Sequence, residues 1–377
     1  MPDFFLDTSR PEVVKAFNKQ LWAEWRQNGA LWNPDYGLVG SGPEYCITEI
    51  NDLQRGAGDE VTIPYIFQLD DDAGVMGAEV LEGKETAPDY GYFKLKINKQ
   101  RYGTQVYGEM FQQMVHFDVA KNAKQIVKDW FLNRREVSAM NQLSGFTPQS
   151  DLRFTGLNAV TALQSANVHR PGAHTTDLQV RGDSTATFDV DLLAEVRAKL
   201  DMMDPPIEPL SIGGFEGYVV MMHPNVKADL DSPSSTFFDI SKSALQGGLA
   251  KDHPFFSRIA GAYQDFLFVV NPFCVQGISG TSGLANTRQS LVLGRKALGV
   301  SYGRSVRNTK DPFSMYLGAR DHDDKLITSC KLIWGCKRAT ATKADATVKD
   351  IGVMSIVTYS ADRIPGQANK GQTVTEV

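Results

Sequence analysis

A chain of 377 residues, 42% hydrophobic and 10% aromatic, can bury a sizeable core in two or three domains and has the composition of a folded protein. Its net charge of −5 argues against tight general binding of nucleic acid, which needs a strong positive excess. No apolar run is long enough to span a bilayer, and the start MPDFFLDTSR carries no basic-then-apolar signal, so a soluble protein made in a cytoplasm is expected.

Residues 1–58 are expected to form an arm. Val14, Phe17, Leu21 and Trp25 recur at helical spacing, with Pro11 suited to a first turn and Gly29 to an end. The following ALWNPDYGLVGSGPEY is rich in Gly and Pro, and few residues here could build a core of their own. Residues 59–107 predict a long hairpin. Asp59 to Gln68 is strand-like, and Pro64 indicates an edge. Phe93, Leu95 and Ile97 alternate with Lys94, Lys96 and Asn98, and QRYGTQVYGE continues the return strand. Residues 69–92 form a polar tip with seven acidic side chains: Asp70, Asp71, Asp72, Glu79, Glu82, Glu85 and Asp89. Such a hairpin is marginal alone and needs something to pack against.

The stretch from Glu109 to Leu143 is the organising element. Val119, Ala120, Ala123, Ile126, Val127, Trp130 and Val137 share one helical face. Lys121, Lys124, Lys128, Asp129 and Arg135 fall opposite, and Arg134 lies near the apolar stripe. Asp118 suits the N-cap, and Gly145 with Pro148 ends the run. At 1.5 Å per residue such a helix spans roughly 40 Å and needs something extended to lie against.

Residues 146–190 show no strong periodicity. Arg181, Gly182 and Asp183 spell an adhesion tripeptide, a match too short to carry function. Asp189 to Asp201 reads as a helix with acidic residues in its first turn, and DPPIEP marks a boundary. Residues 207–324 predict a compact α/β or α+β unit. Its parts are a buried strand over Gly217–Met222, a helix over Ile240–Gln246, a strongly apolar strand over Phe266–Val270 and a flexible loop, GISGTSGLANT. Apolar structure returns from Ser290 to Tyr302. In residues 325–377, KLITSCKLIWGCKRAT and DIGVMSIVTYS read as strands and the last residues as a tail.

No reaction centre assembles from these parts, and no catalytic, cofactor-binding or metal-ligating residue is assigned. His116, His169, His174, His223, His253 and His322 are scattered without an HExxH or HxH pair. Asp321, Asp323 and Asp324 beside His322 suggest a cation site but lack the glycine and distal glutamate of a calcium loop. Asp70, Asp71 and Asp72 read as an acidic loop. Gly277 to Gly283 has the glycine content of a phosphate cradle without the GK[ST] ending. Cys46, Cys274, Cys330 and Cys336 match no common zinc spacing, so buried free thiols are expected, with Cys330 and Cys336 on one strand face. The rival reading is an α/β enzyme whose site joins distant residues, with the loop at Asp321 to Asp324 as its metal site.

The order of parts resembles the HK97 fold of tailed-phage capsid proteins, an α+β architecture. GDEVTIPYIFQL followed by GAEVLEGKETAPDYGYFKLKINKQRYG is similar to the extended-loop segment of the major capsid proteins of N4-type phages. DVAKNAKQIVKDW resembles their spine helix, FEGYVVMMHPNVKADL and HPFFSRIAGAYQDFLFV their central segments, and DIGVMSIVTYS their closing strand. The likeness runs from about Trp22 to Tyr359 and is weakest over Phe146 to Ala186 and Gly277 to Thr287.

This resemblance implies five parts: an N-terminal arm (1–58), an extended hairpin loop (59–107), a peripheral domain with the spine helix (108–200), an axial domain (201–324), and return strands of the peripheral domain with a C-terminal tail (325–377). It implies a non-enzymatic major capsid protein that self-assembles, as hexamers and pentamers, into an icosahedral shell. The shell would enclose a double-stranded DNA phage genome in the virion, after synthesis in the host bacterial cytoplasm. The implied partners are its own copies, a portal protein and packaged DNA held without sequence specificity; a decoration protein is allowed. No long, highly charged N-terminal helix could serve as a built-in scaffold, so a separate scaffolding protein is expected. No membrane and no cofactor enter this reading. A shell of the same fold around protein cargo is a further alternative.

Overall fold

The computed structural model describes residues 29, 31–32, 37–55, 58–67, 75–76, 80, 82, 85, 90–105, 119–149, 152–154, 156–212, 215–232, 235–239, 262–263, 265–279, 282–304, 312–320, 325–343 and 348–363. The first part runs β1 (Val39–Gly40), β2 (Ile47–Ile50), α1 (Asp52–Arg55), β3 (Glu60–Ile66), β4 (Tyr90–Lys96), β5 (Asn98–Gln105) and α2 (Val119–Ser144). Next come β6 (Val168–His169), α3 (Asp177–Gly182), α4 (Val190–Met202), β7 (Leu210–Ile212), β8 (Phe215–Met222) and α5 (Pro224–Leu230). After them lie β9 (Ala262–Tyr263), β10 (Phe266–Val270), β11 (Ile278–Ser279), β12 (Ser282–Gly283), β13 (Thr287–Leu293) and β14 (Leu298–Tyr302). The last strands are β15 (Phe313–Arg320), β16 (Lys325–Arg338), β17 (Thr340–Thr342), β18 (Val348–Asp350) and β19 (Val353–Tyr359). The expected helices at Pro11 to Gly29 and Ile240 to Gln246 lie outside the described residues, apart from Gly29 itself.

Helix α2 forms where its composition demands it: 26 residues without Pro or Gly, about 39 Å long at 1.5 Å per residue. Gly145 stops it in the left-handed region (φ 71°), and its N–H donates to the Asn141 carbonyl at 3.1 Å. A Cβ there would meet the Thr161 carbonyl oxygen at 2.7 Å, so glycine is required twice over.

The inward face of α2 agrees with the expected one at Val127, Trp130 and Val137 and departs from it at Ile126 and Arg135. Val127 and Phe131 are buried, but Ile126 is 62% exposed and Trp130 only partly covered. Arg135, expected on the solvent side, is fully buried. The reason is that the second half of the helix is enclosed all round. Trp32 lies under the Arg135 guanidinium (4.2 Å), and Phe154 lies under Arg134 (3.3 Å). Ser138 donates to the Phe154 carbonyl, and Gln142 to that of Asn158. A helix buried on every side hides its polar residues in hydrogen bonds rather than turning them to water.

Two sheets pack on this helix, and a third carries the hairpin. The first has the order β1-β2-β14-β16-β15, with β5 on the opposite edge of the long strand β16. Its inner face and α2 share a core with Leu31, Trp32, Leu38 and Ile47. Residues 31–32 and 37–50, inside the expected arm, pack into this body, because β1 and β2 extend the sheet. The second sheet has the order β6-β19-β13-β8-β10-β9, with β7 beside β8. Both its faces are covered: Val219, Met221, Leu291 and Leu293 point to the α2 core, while Val220, Met222, Val292 and Met354 meet α4 and α5. That double burial is why Gly217–Met222 and Phe266–Val270 read as unbroken apolar runs, and those two strands pair in parallel.

The third sheet, β18-β17-β4-β3, carries the hairpin. Its register runs from Glu60↔Lys96 to Ile66↔Tyr90, and the Ile97 N–H closes its base on the Asp59 carbonyl at 2.9 Å. The return strand does not continue as expected: after Ile97 the chain leaves the hairpin and β5 joins β16 in the first sheet. Strand partners also regroup across the expected domain limits. β14 and β15, inside 201–324, pair with β16, while β19, inside 325–377, pairs with β13.

Candidate intersubunit surface

Strand β4 alternates perfectly between exposed and buried residues, as Phe93, Leu95 and Ile97 require. With Val61, Ile50 and Leu53 these three form a small core under the hairpin base. The opposite face presents the exposed side chains of Tyr90, Tyr92, Lys94 and Lys96. There Ile66 (67% exposed) pairs with Tyr90 (60%), and Pro64 pairs with Tyr92 (43%), which makes an apolar strip toward the tip. Nearer the base, Glu60 lies between Lys94 (3.5 Å) and Lys96 (3.6 Å). β3 is the edge strand, and Pro64 removes one donor from that edge.

Beside the hairpin base lies a cleft of about 520 Å³, bounded by β5, α2, β16 and residues 153–154 and 156–158. Tyr102 stacks on Trp130 within it, with ring centroids 4.1 Å apart and planes 9° apart. Asn158 fixes its far wall by exchanging two hydrogen bonds with the Lys96 backbone, at 2.9 and 2.7 Å. Lys96, Lys99, Arg101, Arg134 and Arg153 line it, and among the described residues no acidic side chain does. Lys96, Lys99 and Arg101 come from the run KLKINKQR, and Arg134 and Arg153 from two other segments.

The frame behind these surfaces is held by buried charges. Arg338 and Asp350 pair at 2.9 Å with 3% and 1% exposure. Glu136 accepts from the Leu31 N–H (3.4 Å) and the Asn271 amide (3.3 Å). Burial pulls the Arg135 guanidinium down to about 10, although Tyr302, Glu136 and Glu49 oppose the shift.

Among the described residues, the candidates for chemistry that the sequence offers do not converge. His223 caps α5 by accepting from the Asn225 N–H at 3.1 Å. His174 meets Asp183 at 3.0 Å, and His169 meets Glu195 at 3.4 Å. Arg181 and Gly182 of the adhesion tripeptide end helix α3 rather than a loop. GISGTSGLANT contains the short pair β11–β12, and two of its amides are engaged within the chain: Ile278 N–H donates to Asp177 at 2.7 Å and Gly277 N–H to Thr287 at 3.1 Å. Asp70 to Asp72, Asp321 to Asp324, His116, His253 and His322 lie outside the described residues. Among the described residues no His, Cys, Asp or Glu trio could hold a metal, and no helix is long and apolar enough to cross a membrane. Cys46, Cys274, Cys330 and Cys336 are all buried and free, and burial pushes each thiol up to about 12.

Comparison with known proteins identifies the fold. The capsid protein of Ralstonia phage GP4 matches with a TM-score of 0.68 at 20% identity, over 87% of this chain and 91% of that one. The cyanophage Pam1 capsid gives 0.66 at 16% identity, over 86% and 91%. The capsid of Helicobacter pylori bacteriophage KHP30 gives 0.61 at 12% identity, over 86% and 90%. These likenesses establish the α+β, HK97-like capsid architecture. No curated protein matches the sequence. The profile of the family described as "Phage capsid protein" matches residues 11–362. The chain therefore belongs to the phage capsid protein family and is a major capsid subunit, a structural protein that forms the shell of a bacteriophage.

Proposed function

We propose that this subunit assembles as hexamers and pentamers into an icosahedral shell around a double-stranded DNA genome, in a phage of the N4 type, with the β3–β4 hairpin crossing from each subunit to the next. The observation that carries the hairpin's role is the strip of Pro64, Ile66, Tyr90 and Tyr92. Large apolar side chains stand exposed on the β3–β4 hairpin, whose other face packs at its base on a small core. Exposed apolar patches of this kind mark surfaces that are covered in an assembly. The unit built on the second sheet with α4 and α5 acts as the axial domain and meets its copies around the five- and six-fold axes. The unit built on α2 and the first sheet acts as the peripheral domain.

A net charge of −5 suits a container for DNA better than a protein that grips it. A separate scaffolding protein and a portal protein complete the assembly, and the subunits are made in the host cytoplasm before they enter the virion. The test replaces residues 68–89 with a two-residue turn. Circular dichroism should report a folded, soluble subunit, and negative-stain microscopy should show that it no longer forms regular shells. A shortened subunit that cannot fold would place the hairpin in the subunit's own core and remove the reading's main support.

A further inference from the structure

We infer that residues 360–363, directly after β19, form a strap that polar contacts hold against α5 and the start of β13, and that this strap opens in acid. The strap belongs to the single subunit and does not depend on the shell reading. It consists of Ser360, Ala361, Asp362 and Arg363 and contributes nothing to the buried apolar clusters among the described residues. Asn286, in the left-handed region (φ 58°), accepts twice from it. The Ser360 N–H donates to the Asn286 carbonyl at 2.9 Å, and the Asp362 N–H donates to its side chain at 3.4 Å. Asp229 of α5 accepts from the Ser360 hydroxyl at 2.7 Å and pairs with Arg363 at 2.8 Å. The Asp362 carboxylate pairs with Arg288, whose side chain is fully buried, and accepts from the Asn225 amide at 3.5 Å.

His223 joins this node at the start of α5 and is 8% exposed. Its Nδ1 accepts from the Asn225 N–H at 3.1 Å and therefore carries no proton. The charges that act on it are Arg288 from β13 and Asp362 from the strap. Lys227, Asp229 and Asp231 follow on α5 and its C-cap, and Cys274, buried after β10, brings a neutral thiol near Arg288. A proton on Nδ1 would remove the cap and place a second cation beside Arg288. Burial and then the Arg288 charge therefore push the His223 pKa down to about 4, and Asp362 opposes them only in part. Opening the strap hydrates the ring and returns it toward its ordinary value near 6.5. Opening thus takes up a proton: the closed strap is favoured above about pH 6.5 and loses ground as pH falls toward 4. A change between those two values raises the opening constant by up to about 30-fold from pH 7.5 to pH 5.

Hydrogen exchange of the full-length subunit measures the opening. Peptides that carry the Ser360 and Asp362 amides report the strap, and peptides from β10 report the core. After correction for intrinsic exchange, strap protection should fall about 30-fold from pH 7.5 to pH 5, and β10 protection should change less than about threefold. His223→Asn keeps a side chain able to cap α5 and should hold strap protection within about threefold over that range. Asp362→Asn removes the carboxylate that pairs with the buried Arg288 and should lower strap protection about tenfold already at pH 7.5. Strap protection that stays flat with pH in the unsubstituted chain overturns the inference, as does an equal fall in His223→Asn. A matching fall in β10 would reveal global unfolding and overturns it as well. Unchanged protection in Asp362→Asn would show that the ion pair does not hold the strap. Should His223→Asn fail to fold, the unsubstituted profile and Asp362→Asn still decide.

Discussion

The packing of α2 is best tested by two substitutions five residues apart. Phe131 is 1% exposed and sits edge-on to Trp130 at 4.9 Å and to Phe313 at 6.2 Å. Truncating a buried Phe to Ala costs about 3–5 kcal/mol. The two ring contacts each add up to about 1 kcal/mol beyond area, which places Phe131→Ala near the top of that range. Ile126, on the same helix and equally apolar, is 62% exposed. Ile126→Ala should therefore cost about 0.5 kcal/mol or less. A gap of roughly 4.5 kcal/mol corresponds to about a 2000-fold difference in the unfolding constant. Urea unfolding of the unassembled subunit, followed by circular dichroism, measures both. Equal losses, or a larger loss at Ile126, would show that the helix turns a different face to the core.

The Arg338–Asp350 pair supplies a second test, because Asp350→Ala leaves a buried guanidinium without its carboxylate and should cost about 3–5 kcal/mol in the same assay. A loss below about 0.5 kcal/mol would mean the pair is solvated. His223, 8% exposed, has its pKa pushed down to about 4 by burial and then by the Arg288 charge. The unfolded chain binds the extra proton first, at its ordinary value near 6.5. Its contribution is thus complete above about pH 6.5 and is lost as pH falls toward 4. His223→Asn keeps a side chain able to cap α5 and should flatten that part of the stability profile; an unchanged slope would refute the assignment. The four thiols, pushed up to about 12, should resist maleimide at pH 8 in the folded subunit and react on unfolding, and shells should survive reductant and chelator. Rapid labelling of the native protein would contradict their burial.

What could be read in the sequence was local. The span of α2 followed from an uninterrupted run between Asp118 and Gly145, and the alternation at Phe93, Leu95 and Ile97 followed from one covered face. Asp189 capped its helix as its residue type suggests. What could not be read depended on distant partners. Arg135 looked solvent-facing because helical periodicity assumes one wet side, and nothing near it in the chain announces that Trp32 will cover it. The turn of the chain at Ile97 was hidden for a related reason: β5 keeps a strand-like sequence but finds its partner in β16, more than two hundred residues later. The basic cleft was legible only as a cluster of lysines and arginines, because its walls come from four separate segments.

The most direct measurement is cryo-electron microscopy of particles isolated from infected cells, at a resolution that traces the backbone. The account predicts closed icosahedral shells in which the hairpin of each subunit lies across the neighbouring copy and covers the strip at Ile66, Tyr90 and Tyr92. Shells in which that hairpin folds back on its own subunit and leaves the strip exposed would contradict it.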